Sequence, residues 1–126
     1  MKLNENISPG QYVIRACEPG KVTINDTAIH NSCIITASQL LEDWPLKSMA
    51  DLSREHLRPF HELEVEIVLF GTGNQQQFPD MRTLLALTDR GIGFEVMDTH
   101  AACRTYNILM AEGRAVAAAL IITSDN

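Results

Sequence analysis

Cys103 and His100 stand three positions apart, a spacing that puts both side chains on one face of a helix. A helix opening near Asp98 or Thr99 holds that thiol in or just after its first turn. There the helix dipole lowers a thiol pKa, and the imidazole is a base within reach of a nucleophile. Against this dyad, Cys103 follows Ala101 and Ala102 on a face that must pack, where an inert buried thiol is the simpler account. A second constellation is Gly71-Thr72-Gly73, directly after an apolar run. Loop amides beside a helix N-terminus can cradle a phosphate or carboxylate. The sixth position of a GxGxxG pattern is Gln76, however, and no Gly-Lys-Ser/Thr follows, so neither nucleotide fingerprint is met. The plainer account is that the two glycines turn the chain between strand and helix. Arg104, one turn into the helix that opens at Asp98 or Thr99, is the one cation expected near the rim, and no formal charge falls between positions 71 and 79. Asn107 is a weak helix former in mid-helix, which suits an amide bonded to neighbouring loop backbone; with Arg104 it is also a ligand-binding candidate at the rim.

Metal chemistry finds little purchase. His30 and Cys33 face opposite ways on a strand. His56 and His61 are five apart with Pro59 between them, unlike two ligands on one helical face. The expectation is no metal and no cofactor.

The elements that must position these groups divide near residue 50. Residues 11–17, 21–24 and 29–36 alternate or are β-branched, with Glu18-Pro19-Gly20 and Asn25-Asp26 as turns, which predicts an antiparallel meander or hairpin. A short helix opens near Asp51 or Ser53 and ends before Pro59. Residues 65–70 form a strand. Pro79 fits the first position of a helix whose buried face is Met81, Leu84, Leu85 and Thr88, closed by Gly91. Residues 94–97 are the next strand, and Asp98 or Thr99 caps a helix over about 100–112 with Ala102, Tyr106, Leu109 and Met110 buried. Residues 115–123 are almost wholly apolar, as in a central strand covered on both faces. Strand, helix, strand, helix, strand is an α/β layer architecture. The loops after its first two strands, being neighbours, share one rim, so Gly71, Thr72, Gly73, Asp98 and Thr99 bound the default ligand crevice.

The chain has 126 residues, 45% of them hydrophobic and 21% charged, with ten basic and sixteen acidic side chains for a net charge of −6. That is the size of a single domain, spanning 1–126. The acidic balance, with no basic stripe, argues against nucleic acid and against a polybasic membrane anchor. No apolar run approaches the roughly 20 residues of a bilayer span. The start of the chain, residues 1–6, shows neither an apolar leader core nor a transit-peptide composition, so a cytosolic protein is expected. Cys17, Cys33 and Cys103 are odd in number and widely spaced, which predicts reduced, mostly buried thiols.

Four runs, taken together, resemble a known family: Ile67-Val68-Leu69-Phe70-Gly71-Thr72-Gly73, Gly91-Ile92-Gly93-Phe94-Glu95-Val96-Met97-Asp98-Thr99, Ala101-Ala102-Cys103-Arg104-Thr105-Tyr106-Asn107 and Glu112-Gly113-Arg114-Ala115-Val116-Ala117-Ala118-Ala119-Leu120. They are similar to the small MTH-type α/β family of unknown function, whose relatives include a mitochondrial complex I assembly factor and an adipogenesis-associated protein. The resemblance covers essentially the whole chain, more loosely in the β-rich part that holds Trp44. It implies a three-layer α/β fold with a mixed central sheet and no established reaction. A histidine at position 100 is not part of the family's pattern, which weakens the Cys103 dyad. The reading is a non-enzymatic cytosolic accessory or assembly-type factor acting on a protein partner, as a monomer or homodimer. The alternative is a small-molecule or anion-binding protein, with or without enzymatic activity, using the Gly71–Gly73 loop and Asp98.

Overall fold

Two sheets organise residues 10–123, the part of the chain described by the computed structural model; the leader reading of residues 1–6 lies outside it. The first sheet is the antiparallel meander β1 (Ile14–Glu18), β2 (Lys21–Ile24) and β3 (Thr27–Ile29). Its turns use Gly20 and Asn25, both with positive φ. Its first pairing is irregular. Ile14 opposes Ile24, but Ala16 opposes Thr23 and Cys17 opposes Val22. Arg15 is therefore the extra residue of a bulge, and it resets the strand's phase so that Ile14 and Cys17 look the same way.

The second sheet runs in the order β5 (Leu40–Leu41), β4 (Cys33–Ile35), β8 (Val116–Leu120), β6 (Ile67–Gly71), β7 (Gly93–Met97). The β5–β4–β8 pairings are antiparallel and β8–β6–β7 are parallel, so the central sheet is mixed. All five residues of β8 are buried, as the unbroken apolar run requires. Val116, Ala118 and Leu120 face one core and Ala117, Ala119 and Ile121 the other. The first core is closed by the meander and by α2 (Thr99–Ala111); the second is closed by α1 (Met81–Thr88) and the 3-10 turns Met49–Asp51 and Arg54–His61. Among the described residues no helix is long and apolar enough to cross a membrane.

Three local expectations are corrected. Residues 29–36 are not one strand. His30, Asn31 and Ser32 leave the meander, and Ser32 is drawn to the main sheet, its carbonyl accepting from Trp44 N–H at 2.8 Å and its Oγ from Ile122 N–H at 3.1 Å. The helix expected to stop before Pro59 runs through it. A 3-10 turn needs residue 59 to donate to the carbonyl of His56; proline cannot, and the Trp44 indole Nε1–H takes that acceptor at 3.0 Å. In α1, Asp80 caps the first turn by accepting from Arg82 N–H at 2.9 Å, so Pro79 lies outside the helix. Leu84 and Leu87 are its buried pair, while Met81 and Leu85 are each 52% exposed.

Candidate functional site

The chain leaves β6 for α1 on one face of the sheet, and leaves β7 for α2 on the other, because β7 lies to one side of β6 and β8 to the opposite side. Two adjacent strands whose loops depart to opposite faces are the place where an α/β sheet opens a ligand crevice. Here Thr99 fills it. A Cβ on Gly71 would stand 2.9 Å from the Thr99 Cα and 3.0 Å from its Oγ1, so only glycine lets α2 approach this closely. The Thr99 hydroxyl donates to the Ile121 carbonyl at 2.7 Å and accepts from Gly73 N–H at 2.8 Å. The Thr99 N–H in turn donates to the Gly73 carbonyl at 2.9 Å.

The rest of the rim is also engaged internally. The Thr72 N–H donates to Met97 at 2.8 Å, and its hydroxyl donates to the Gln75 carbonyl at 2.6 Å while accepting from Gln77 N–H at 3.1 Å. Asp98 is the N-cap of α2, its carboxylate accepting from Ala101 N–H at 2.8 Å. The amides of Thr72 and Gly73 are thus spent on the fold. The Gly71–Gly73 run positions α2.

Open space lies one layer further out, in a crevice of about 470 Å³ between the β1–β2 turn and the N-terminal turn of α2. Gly73, Asp98, Thr99, His100 and Arg104 line it, facing Cys17 and Glu18; Gly71 and Thr72 are buried beneath. Arg104 is exposed and makes no ion pair among the described residues. The wall therefore sets one guanidinium and one imidazole against two carboxylates. Asn107 sits a turn further along α2, outside the crevice, and holds β1 through its carboxamide.

The thiols are arranged differently from the expected dyad. No hydrogen bond joins His100 to Cys103 among the described residues; the group against the Cys103 thiol is the Cys17 thiol. Hydrogen bonding to Cys17 and burial push Cys103 well above the usual thiol range, overriding any help from the helix end. Cys33, fully buried, is pushed up to about 12 by desolvation, with a smaller push from Glu42. Cys17 escapes sequence reasoning because strict alternation from Ile14 would turn it away from α2. Only the bulge at Arg15, which leaves no mark in residue type, turns it back. Among the described residues no group of three or more His, Cys, Asp or Glu side chains converges as a metal site.

A mixed sheet with a helix on each face, a small meander beside one of them and a switch point closed by a threonine defines a small three-layer α/β protein. The chain belongs to the family described as a protein of unknown function (DUF498/DUF598), whose profile matches residues 14–121. A rat protein, NADH dehydrogenase (ubiquinone) 1 alpha subcomplex assembly factor 3, is 34% identical over 123 residues, covering 96% of this chain and 66% of the rat protein. The chain therefore spans just under two thirds of that relative's length. A Xanthomonas campestris protein solved by NMR superposes with a TM-score of 0.82 at 38% identity, covering 91% of this chain and 87% of that one. A Bordetella pertussis protein described as a Mth938-like domain does so with a TM-score of 0.82 at 27% identity, covering 100% and 94%. The expected family and fold are those found.

Proposed function

We propose that this chain is a non-enzymatic accessory domain of assembly type, which works by holding a protein partner. The observation that carries this reading is the closed carboxyl edge of the sheet: Thr99 and Thr72 give their polar atoms to the fold and Asp98 caps α2, where an enzyme of this architecture would present them to a ligand. A surface suited to a partner lies elsewhere. Met81 and Leu85, four positions apart on the outer side of α1, are each 52% exposed, and Phe78, just before the helix, is 68% exposed. The name of the rat relative, an assembly factor, agrees with such a role. Affinity capture with the tagged full chain tests it. A specific partner should be recovered, and Phe78→Asp with Leu85→Asp should release it while leaving the fold intact. Failure to recover any specific partner in low salt overturns the reading.

A second reading, binding of a small anion, is favoured by the 470 Å³ crevice with Arg104 and His100 on its wall. The Gly73 amide being taken, the charge would have to come from these side chains. Thermal-shift measurements with phosphate and small carboxylates test it: a ligand at a hundred times its Kd adds about 2.7 kcal/mol, which Arg104→Ala abolishes. A flat panel removes this reading.

A further inference from the structure

We propose that Cys17 and Cys103 are an oxidisable thiol pair: a hydroperoxide entering the crevice oxidises Cys17, and Cys103 then closes a disulfide that ties β1 to α2. Three observations place the pair. The bulge at Arg15 turns Cys17 to the same side as Ile14. Asn107 fixes the register of helix against strand by bonding both the N–H and the carbonyl of Ile14. One turn back along α2 and three residues forward along β1, Cys103 then meets Cys17, which packs against the core that holds Cys103. Finally, access is unequal. Cys17 is half-buried and lines the crevice, whereas Cys103 and Cys33 are buried.

The hydrogen bond divides the labour between the two sulfurs. The Cys103 S–H donates to Cys17, which stabilises the thiolate there against the opposing effects of burial and of Asp98 and Glu18. The half-buried sulfur that faces the crevice is thus the nucleophile and the buried one the resolving thiol. The Cys17 thiolate attacks one oxygen of the hydroperoxide: an S–O bond forms, the O–O bond breaks, and the departing alkoxide or hydroxide takes a proton from water. Cys17 is then a sulfenic acid. The Cys103 sulfur attacks it; the S–S bond forms, the S–O bond breaks, and the hydroxide leaves as water with the proton Cys103 gives up. Two electrons pass from two thiols to one hydroperoxide. A dithiol reductant reverses the step by exchange.

The bond would join the meander to the helix beside the crevice, so oxidation would fix the spacing of its two walls. Cross-linking two residues so far apart in sequence also removes freedom from the unfolded chain, and a higher Tm follows.

The test exposes the reduced full chain to hydrogen peroxide, blocks remaining thiols with an alkylating agent in denaturant, and maps the peptides by mass. Two of the three thiols should disappear together into a Cys17–Cys103 linked peptide, with Cys33 alkylated, Tm raised, and dithiothreitol restoring the starting state. In Cys103→Ser, Cys17 should stop at a sulfenic acid trapped by dimedone. Each unit of raised pKa lowers a thiol's thiolate fraction about tenfold, so Cys17 in the folded wild type should also alkylate at least that much faster than Cys33. The proposal is overturned if Cys17 stays reduced under peroxide that oxidises the urea-unfolded chain, if the bridge formed involves Cys33, or if only bonds between chains appear. The wild-type map decides even where the serine variant does not fold.

Discussion

Asn107 and Ile14 exchange two hydrogen bonds, the carboxamide Nδ2 donating to the Ile14 carbonyl at 2.7 Å and the Ile14 N–H donating to Oδ1 at 3.0 Å. The side chain imitates a neighbouring strand at the point where the bulge begins. Asn107→Ala leaves a donor and an acceptor unpaired in a partly buried contact, each worth about 1–3 kcal/mol. Water will recover some of that, so urea unfolding should show a loss of about 2–3 kcal/mol. A loss below about 0.5 kcal/mol would mean that the pair does not hold β1 in place.

That role was visible in outline from residue type alone, since asparagine in mid-helix has to earn its place through a bond to something else. The β6–α1–β7–α2–β8 order is legible for a similar reason: each element carries its own periodicity, and the caps Asp98 and Gly91 sit within one turn of the ends they close. What is not legible is decided by partners distant in sequence. Pro59 looks like a stop until the Trp44 indole supplies the missing donor. The bulge at Arg15, the split of residues 29–36 and the filling of the switch point by Thr99 depend likewise on what β2, Trp44 and Ile121 offer across space. The crevice was expected between two adjacent loops. It opens one layer out, because a threonine side chain fits where a ligand would.

Thr99→Val keeps the shape of that plug and removes its hydroxyl. The Gly73 N–H and Ile121 carbonyl, both bonded to Oγ1, are left without it in a buried place, and a loss of about 2–4 kcal/mol is expected. Thr99→Ser, which retains the hydroxyl, should lose clearly less. Thermal unfolding of the two variants side by side measures the difference; equal losses would show that packing of the methyl group, not the hydroxyl, closes the switch point.

Trp44→Phe separates the indole's bond from its bulk. Trp44 is buried against Phe60 with ring centroids 6.4 Å apart, and phenylalanine keeps much of that contact. The His56 carbonyl loses the donor that substitutes for Pro59, at about 1–3 kcal/mol. Restoring a backbone donor with Pro59→Ala should recover part of the loss in the double variant while doing little for the wild type. Additive effects of the two changes, read from urea midpoints, would disprove the substitution.

Alkaline pH should weaken the fold through its buried acids. Desolvation pushes Cys33 from 9.0 up to about 12 and raises the Tyr106 phenol as well. Both are neutral groups that the unfolded chain deprotonates first. Between about pH 9 and about pH 12 the native state therefore binds more protons than the unfolded state. Stability is fully present below pH 9 and falls as pH rises, by up to about 1.4 kcal/mol per pH unit for each such group. Urea titrations at about pH 8 and about pH 10.5 should show the fall, with a shallower slope in Cys33→Ala whatever its absolute stability. A pH-independent midpoint would contradict the burial of these groups.

The two sides of α1 offer the sharpest contrast between pattern and placement. Met81, Leu84, Leu85 and Thr88 share a helical face by spacing, yet the helix lies over the sheet on Leu84 and Leu87, with Ile92 in the same core. A helix that covers a sheet from the side buries only a narrow stripe, and the residues flanking that stripe are free to serve a partner. Leu84→Ala and Leu87→Ala should each cost about 2–5 kcal/mol. Leu85→Ser and Phe78→Ser should stay within about 0.5 kcal/mol of the wild type, and the first two should broaden amide resonances across the second core while the latter pair leave them unchanged. Should Leu85→Ser destabilise as strongly as Leu84→Ala, α1 would be rotated so that Leu85 packs on the sheet, and the apolar surface proposed for a partner would belong to the core instead.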